Sequence, residues 1–98
     1  MTRDEAVAAL ARRRDELCAR GVTALYVFGS TARDEAGADS DLDIFIDYDP
    51  KSRFSLMDLV GIQHFLHDEL AVVVDVTTRD SLHRVLKADI ERSAVRVF

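Results

Sequence analysis

The chain lacks a second cysteine, any run of lysine or arginine that marks a nucleic-acid face, and any apolar stretch long enough to span a bilayer. With Cys18 alone no internal disulfide can form, and the composition fits a reducing compartment. Cys18 falls in a helical pattern, outside any CxxC and without a base nearby, so it reads as a packed or idle thiol. A formal net charge of −5 without such a run argues against direct nucleic-acid binding, because phosphate contacts depend on grouped cations. The opening MTRDEAVAAL is charged from its start and has no continuous apolar signal region. The expectation is a cytoplasmic protein with no membrane association. Repeats, linkers and low-complexity segments are absent too, so residues 1–98 read as one domain.

What is present is a 48% apolar composition, sufficient for a modest core. Thr2 and Glu5 have capping-box spacing, predicting a helix from residue 3. Its inner positions are Ala6, Val7, Leu10 and Leu17, with Arg12 to Asp15 as a solvated face and Gly21 as the stop. Val22 to Phe28 reads as a buried strand. Thr31 to Glu35 has room for one or two helical turns, broken at Gly37. A second strand spans Asp41 to Tyr48 and ends at Pro50. Ser55 caps a helix reaching about Leu70, with Leu56, Leu59, Val60, Phe65 and Leu66 inward. Ala71 to Thr77 is a third strand. Ser81 caps a last helix with Leu82, Val85, Leu86 and Ile90 inward, and AVRVF closes the chain as a short strand with an edge open to pairing. Helices alternating with short strands predict an α/β or α+β sheet covered by helices.

Acidic residues crowd FGSTARDEAGADSDLDIFIDYD, from Phe28 to Asp49. On a strand, Asp41 and Asp43 point to one face, their Cα atoms roughly 6–7 Å apart. Like charges about 5 Å apart repel by roughly 3 kcal/mol at an effective dielectric near 20. Either one carboxylate protonates or a cation binds between them, and hard oxygen donors suit Mg²⁺. Asp75 interrupts the apolar run Val72-Val73-Val74 and Val76, a costly local place for an unpaired charge. If the second and third strands are neighbours, three carboxylates converge, with room for two ions about 3.5–4 Å apart. The alternative for Asp75 is a surface position on an edge strand, paired with Arg79 or Arg84. Upstream, Gly29 permits a tight turn with close backbone approach, and Ser30 offers a hydroxyl and an amide where helix amides favour phosphate oxygens. The alternative there is an ordinary strand-to-helix turn with Ser30 as N-cap.

Gly29-Ser30, ten residues, then Asp41-x-Asp43 resembles the signature of the DNA polymerase β-like nucleotidyltransferase superfamily. FGSTAR, DSDLDIFIDYDP and VDVTTRDSLH look like its minimal nucleotidyltransferase branch, over about Val22 to Phe98. The resemblance implies a mixed β-sheet flanked by helices, with ATP and two Mg²⁺ ions as substrate and cofactor. It places Gly29 and Ser30 on the β- and γ-phosphates, with Arg33 nearby or in a salt bridge to a local Asp. It makes Asp41 and Asp43 ligands to both ions, and Asp75 a third ligand that helps deprotonate the acceptor hydroxyl. It further implies the antitoxin of a type VII pair, a hetero-oligomer in which AMP passes to a tyrosine of a HEPN-type ribonuclease toxin. An antitoxin that only masks its toxin by binding is the alternative. Relatives usually carry Gly after the arginine, whereas this chain has Asp34, a further negative charge near the expected triphosphate. Asp47 and Asp49 read as solvent-facing, Glu35 and Asp39 as loop residues, and His64 and His67 as a solvated or partner-facing surface.

Overall fold

The computed structural model describes residues 1–37 and 41–98. Helix α1 (Arg3–Ala11) starts with the predicted capping box: Glu5 N–H donates to Thr2 Oγ1 at 3.2 Å, and Thr2 N–H donates to Glu5 Oε1 at 3.0 Å. The expected single helix then breaks, and α2 (Arg14–Ala19) is a separate element. Arg13 explains the break. Its amide bonds Leu10 O at 3.0 Å, a tighter turn, and its Nη1 takes the Ala9 carbonyl at 2.6 Å in place of a backbone amide. Its Nε stands 3.4 Å from Glu69, so this arginine ties the break to a later helix and does not belong to a solvated face.

Strand β1 (Val22–Phe28) matches the predicted span. Two more strands, β2 (Leu42–Tyr48) and β3 (Val74–Thr78), are joined by helix α4 (Leu56–Leu70). The closing strand β4 (Val95–Arg96) follows helix α5 (Lys87–Ser93). The sheet order is β3-β2-β1-β4, with β2 and β3 parallel and β1 antiparallel to both β2 and β4. It is a mixed sheet flanked by helices. Parallel neighbours need a crossover, which α4 supplies. Ser55 caps α4 as expected, its amide donating to Asp58 Oδ2 at 2.8 Å.

One sheet face carries Leu25, Val27, Leu42, Ile44, Ile46, Val74 and Val76, packed in one core with Leu10, Leu17, Ile62 and Leu66 from the helices. Burying each such side chain contributes about 1.5–3 kcal/mol. By strand alternation the other face holds Tyr26, Phe28, Asp43, Phe45, Asp47 and Asp75. Phe45 is fully buried there and stacks on Tyr26 at 4.7 Å between ring centroids.

Three expectations fail for local reasons. Leu56 and Val60 of α4 are 72% and 40% exposed, because the inward stripe is centred on Ile62 and Leu66, with Leu59 and Phe65 partly buried. At about 100° per residue, Val60 lies roughly 160° around the helix from Ile62. The third strand begins at Val74, not Ala71, since Ala71 adopts a left-handed conformation (φ 54°) that caps α4. Ser81 does not cap a helix. Thr78 Oγ1 donates to its hydroxyl at 2.9 Å inside a 3₁₀ turn, Arg79–Ser81, and α5 starts only at Lys87. Leu82 is buried as expected, while Val85 and Leu86 are exposed. Cys18 is exposed and unpaired. No helix among the described residues is long and apolar enough to cross a membrane.

Candidate active site

Because β1 runs antiparallel to β2 and β3, its C-terminal end meets their N-terminal ends at one end of the sheet. There the chain leaves Phe28 and enters α3 (Gly29–Ala32), a single turn that starts two residues earlier than predicted, with Phe28 and not Ser30 at the N-cap. Gly29 has φ +71°, and a Cβ on it would lie 2.6 Å from Asp43 Oδ2. Only glycine fits, for conformation and for space. The phosphate turn of the sequence reading and the carboxylate of β2 are therefore in direct contact.

Asp41 is exposed and precedes β2 by one residue, so it flanks the strand and does not belong to it. Asp43 is half-buried, opposite Phe28 on one side and in register with Asp75 on the other. Asp75 is exposed on β3, an edge strand, and Arg79 pairs elsewhere. Burial first, then the charges of Asp75 and Asp41, push the Asp43 carboxyl above its ordinary value, and Arg33 opposes them. Among the described residues no hydrogen bond or ion pair reaches the carboxylates of Asp41, Asp43 or Asp75. Nor are three carboxylate, imidazole or thiol groups among those residues drawn together into a ready metal cage.

The donor set nonetheless fits Mg²⁺. That ion takes one or two protein carboxylates and completes its shell with water and substrate phosphates, so it needs no closed protein cage. Asp43, with Asp41 and Asp75 acting on it and Gly29 pressing against it, and no ion pair to any of the three among the described residues, offers the required charge and openness.

Arg33 follows α3 and pairs with Glu35 at 3.1 Å, a local carboxylate other than the expected Asp. Asp34 adopts φ 58°, and its Oδ1 accepts the Arg3 amide of α1 at 3.1 Å. Its carboxylate is thus engaged by α1. Asp39 lies outside the described residues. His64 and His67 line an open cavity of about 340 Å³ with Gln63 and Asp68.

Sequence reasoning missed the other charged group on this face. Asp47, expected to face solvent, takes two hydrogen bonds from Arg79, at 2.8 and 2.9 Å. The same guanidinium donates to Glu91 of α5 and lies 4.8 and 5.0 Å from the Tyr26 and Phe45 ring centroids. The signal was available: Asp47 shares a strand face with Asp43 and Phe45, a face that had to be covered by something.

The profile of the nucleotidyltransferase domain family matches residues 10–97. The chain is similar to protein adenylyltransferase MntA of Thermococcus cleftensis, 33% identical over 98 residues, covering 99% of this chain and 97% of that one. A solved structure described as a minimal nucleotidyltransferase is 32% identical, superposes with a TM-score of 0.78, and covers 97% of this chain and 95% of that one. A toxin-antitoxin crystal structure with AMP-PNP shares the fold, with a TM-score of 0.71 at 18% identity over 90% of this chain and 72% of that chain.

Proposed function

The chain belongs to the nucleotidyltransferase domain family, and from that premise we propose that it transfers AMP from ATP to a hydroxyl of a partner toxin, silencing it as an antitoxin. The observation that carries the reading is the Asp43–Asp75 pair, in register on neighbouring strands, with Gly29 pressed against Asp43 and, among the described residues, no cation in contact with either carboxylate. Support for the donor and partner comes from the adenylyltransferase name of the MntA relative and from the toxin-antitoxin neighbour solved with an ATP analogue.

In this reading Gly29 and Ser30 seat the β- and γ-phosphates against backbone amides of the α3 turn, and Arg33 adds a cation beside them. Asp41, Asp43 and Asp75 would hold two Mg²⁺ ions. When bound, such ions supply charge neutralisation at the triphosphate and acidify the attacking hydroxyl. The acceptor oxygen forms a bond to the α-phosphorus as the bond to the bridging oxygen of the β-phosphate breaks. Pyrophosphate leaves with that electron pair, and the hydroxyl proton passes towards Asp75. Little covalent chemistry falls to the protein, whose work is positioning and electrostatics. We extend the proposal to a HEPN-type toxin, a tyrosine as acceptor, a cytoplasmic setting, and all 98 residues acting as one domain.

The test is incubation with labelled ATP, Mg²⁺ and a HEPN-type toxin, for the wild type and for Asp41→Asn/Asp43→Asn. Label on the toxin that vanishes in the double variant supports the proposal. Neutralisation of the toxin by the variant, with no label transferred by the wild type, replaces catalysis with masking.

A further inference from the structure

We propose that Asp34 is a positioning residue for the phosphate turn, tying the end of α3 to the start of α1. The inference rests on the reading of Gly29-Ser30 as that turn. A helix of four residues cannot hold itself, because a single turn fixes many dihedrals for few hydrogen bonds. Its geometry must be imposed from both ends. At the start, Gly29 is wedged against Asp43.

At the end, the Glu35 amide bonds Ser30 O at 2.8 Å and the Asp34 amide bonds Thr31 O at 3.0 Å, with Asp34 left-handed between them. This is the paired closure of a Schellman motif, whose left-handed position favours glycine. The pattern explains why glycine suits this place and why aspartate is a departure. Asp and Asn are the side-chain-bearing residues best able to adopt that conformation.

The aspartate contributes a contact that glycine lacks. Its Oδ1 accepts the Arg3 amide, 31 residues away in sequence, at 3.1 Å. Arg3 is the first helical residue of α1, beside the Thr2–Glu5 capping box, where helix amides need acceptors and negative charge is favoured. The two helices also share one core, through Ala6 and Leu10 of α1 and Ala32 of α3. The Gly29-Ser30 turn is thereby held at its start by Gly29 against Asp43 and at its end by the closure that Asp34 links to α1. The side-chain oxygen of Asp34 is thus the acceptor that makes this link to α1.

The test compares wild type, Asp34→Asn and Asp34→Gly in the full chain, with melting temperature, direct ATP·Mg²⁺ binding by calorimetry, and KM and kcat for ATP. Asp34→Asn keeps an acceptor and tolerates the left-handed backbone, so its KM stays within about twofold of wild type. Asp34→Gly relaxes the backbone but deletes the acceptor, and KM rises about fivefold with kcat nearly unchanged, the scale of one hydrogen bond. An Asp34→Gly KM equal to wild type overturns the proposal. So does a KM lowered alike in both variants, which would mean that the charge repels the phosphates. Wild type that binds no ATP overturns the phosphate-turn reading itself, and this proposal with it.

Discussion

Asp43 and Asp47 stand on the same strand and the same face, four residues apart, and the fold treats them oppositely. Asp47 is answered from within the chain, by two hydrogen bonds from Arg79, which is itself stacked over Phe45 and Tyr26 and held by Glu91. Asp43 has like charge beside it, from Asp75 and Asp41, which Arg33 opposes without an ion pair to it among the described residues. At one end of this face the chain's own cation answers the carboxylates and holds α5 to the sheet. The other keeps a deficit of positive charge that a ligand can fill. The difference teaches how to separate structural carboxylates from functional ones: ask which of them the chain itself has satisfied.

The largest expected effect comes from removing the unanswered charge. Asp43→Asn should lower AMP transfer by about 10²-fold or more, the scale of losing a group that stabilises transition-state charge. It should also raise the melting temperature of the ligand-free protein, since a half-buried carboxylate among like charges is lost. Next is Gly29→Ala, which strains a φ of +71° and drives a methyl into Asp43 Oδ2. Transfer should fall by about tenfold or more, the scale of a misplaced reacting group, and the fold should persist by circular dichroism.

At the satisfied end the signs reverse. Arg79→Met leaves Asp47 and Glu91 unpaired and should destabilise by about 2 kcal/mol in urea unfolding, below the full cost of breaking a buried pair because all three groups are partly exposed. The smallest effect is in pH dependence. A raised Asp43 value means that the folded chain holds its proton more tightly there than the unfolded chain. That contribution is fully present at acid pH and is lost as pH rises from the ordinary aspartate range through the raised value. Asp43→Asn should flatten that decline in a stability–pH profile, and Asp49→Asn should leave it unchanged.

Much of this was legible in the sequence, and the failures have a common cause. Val22–Phe28 and the caps Thr2–Glu5 and Ser55 are set by local chemistry, and they appear where expected. The resemblance carried by Gly29-Ser30 and Asp41-x-Asp43 implied one site, and the fold brings Gly29 against Asp43 at one end of the sheet. What escaped were long-range partners. Arg13 breaks the first helix by taking a backbone carbonyl and reaching Glu69, and Arg79 claims Asp47 across 32 positions. Thr78 occupies Ser81 before it can cap a helix. A side chain able to serve two partners gives no sign in sequence of which it will choose.

The most direct test of the central claim is the melting temperature of the wild type and Asp43→Asn with and without Mg²⁺ and ATP together. If the deficit at Asp43 is reserved for the metal–nucleotide complex, the wild type starts lower and gains stability when both are added, while the variant starts higher and gains little. Equal gains in the two proteins, or no gain in the wild type, would contradict the account.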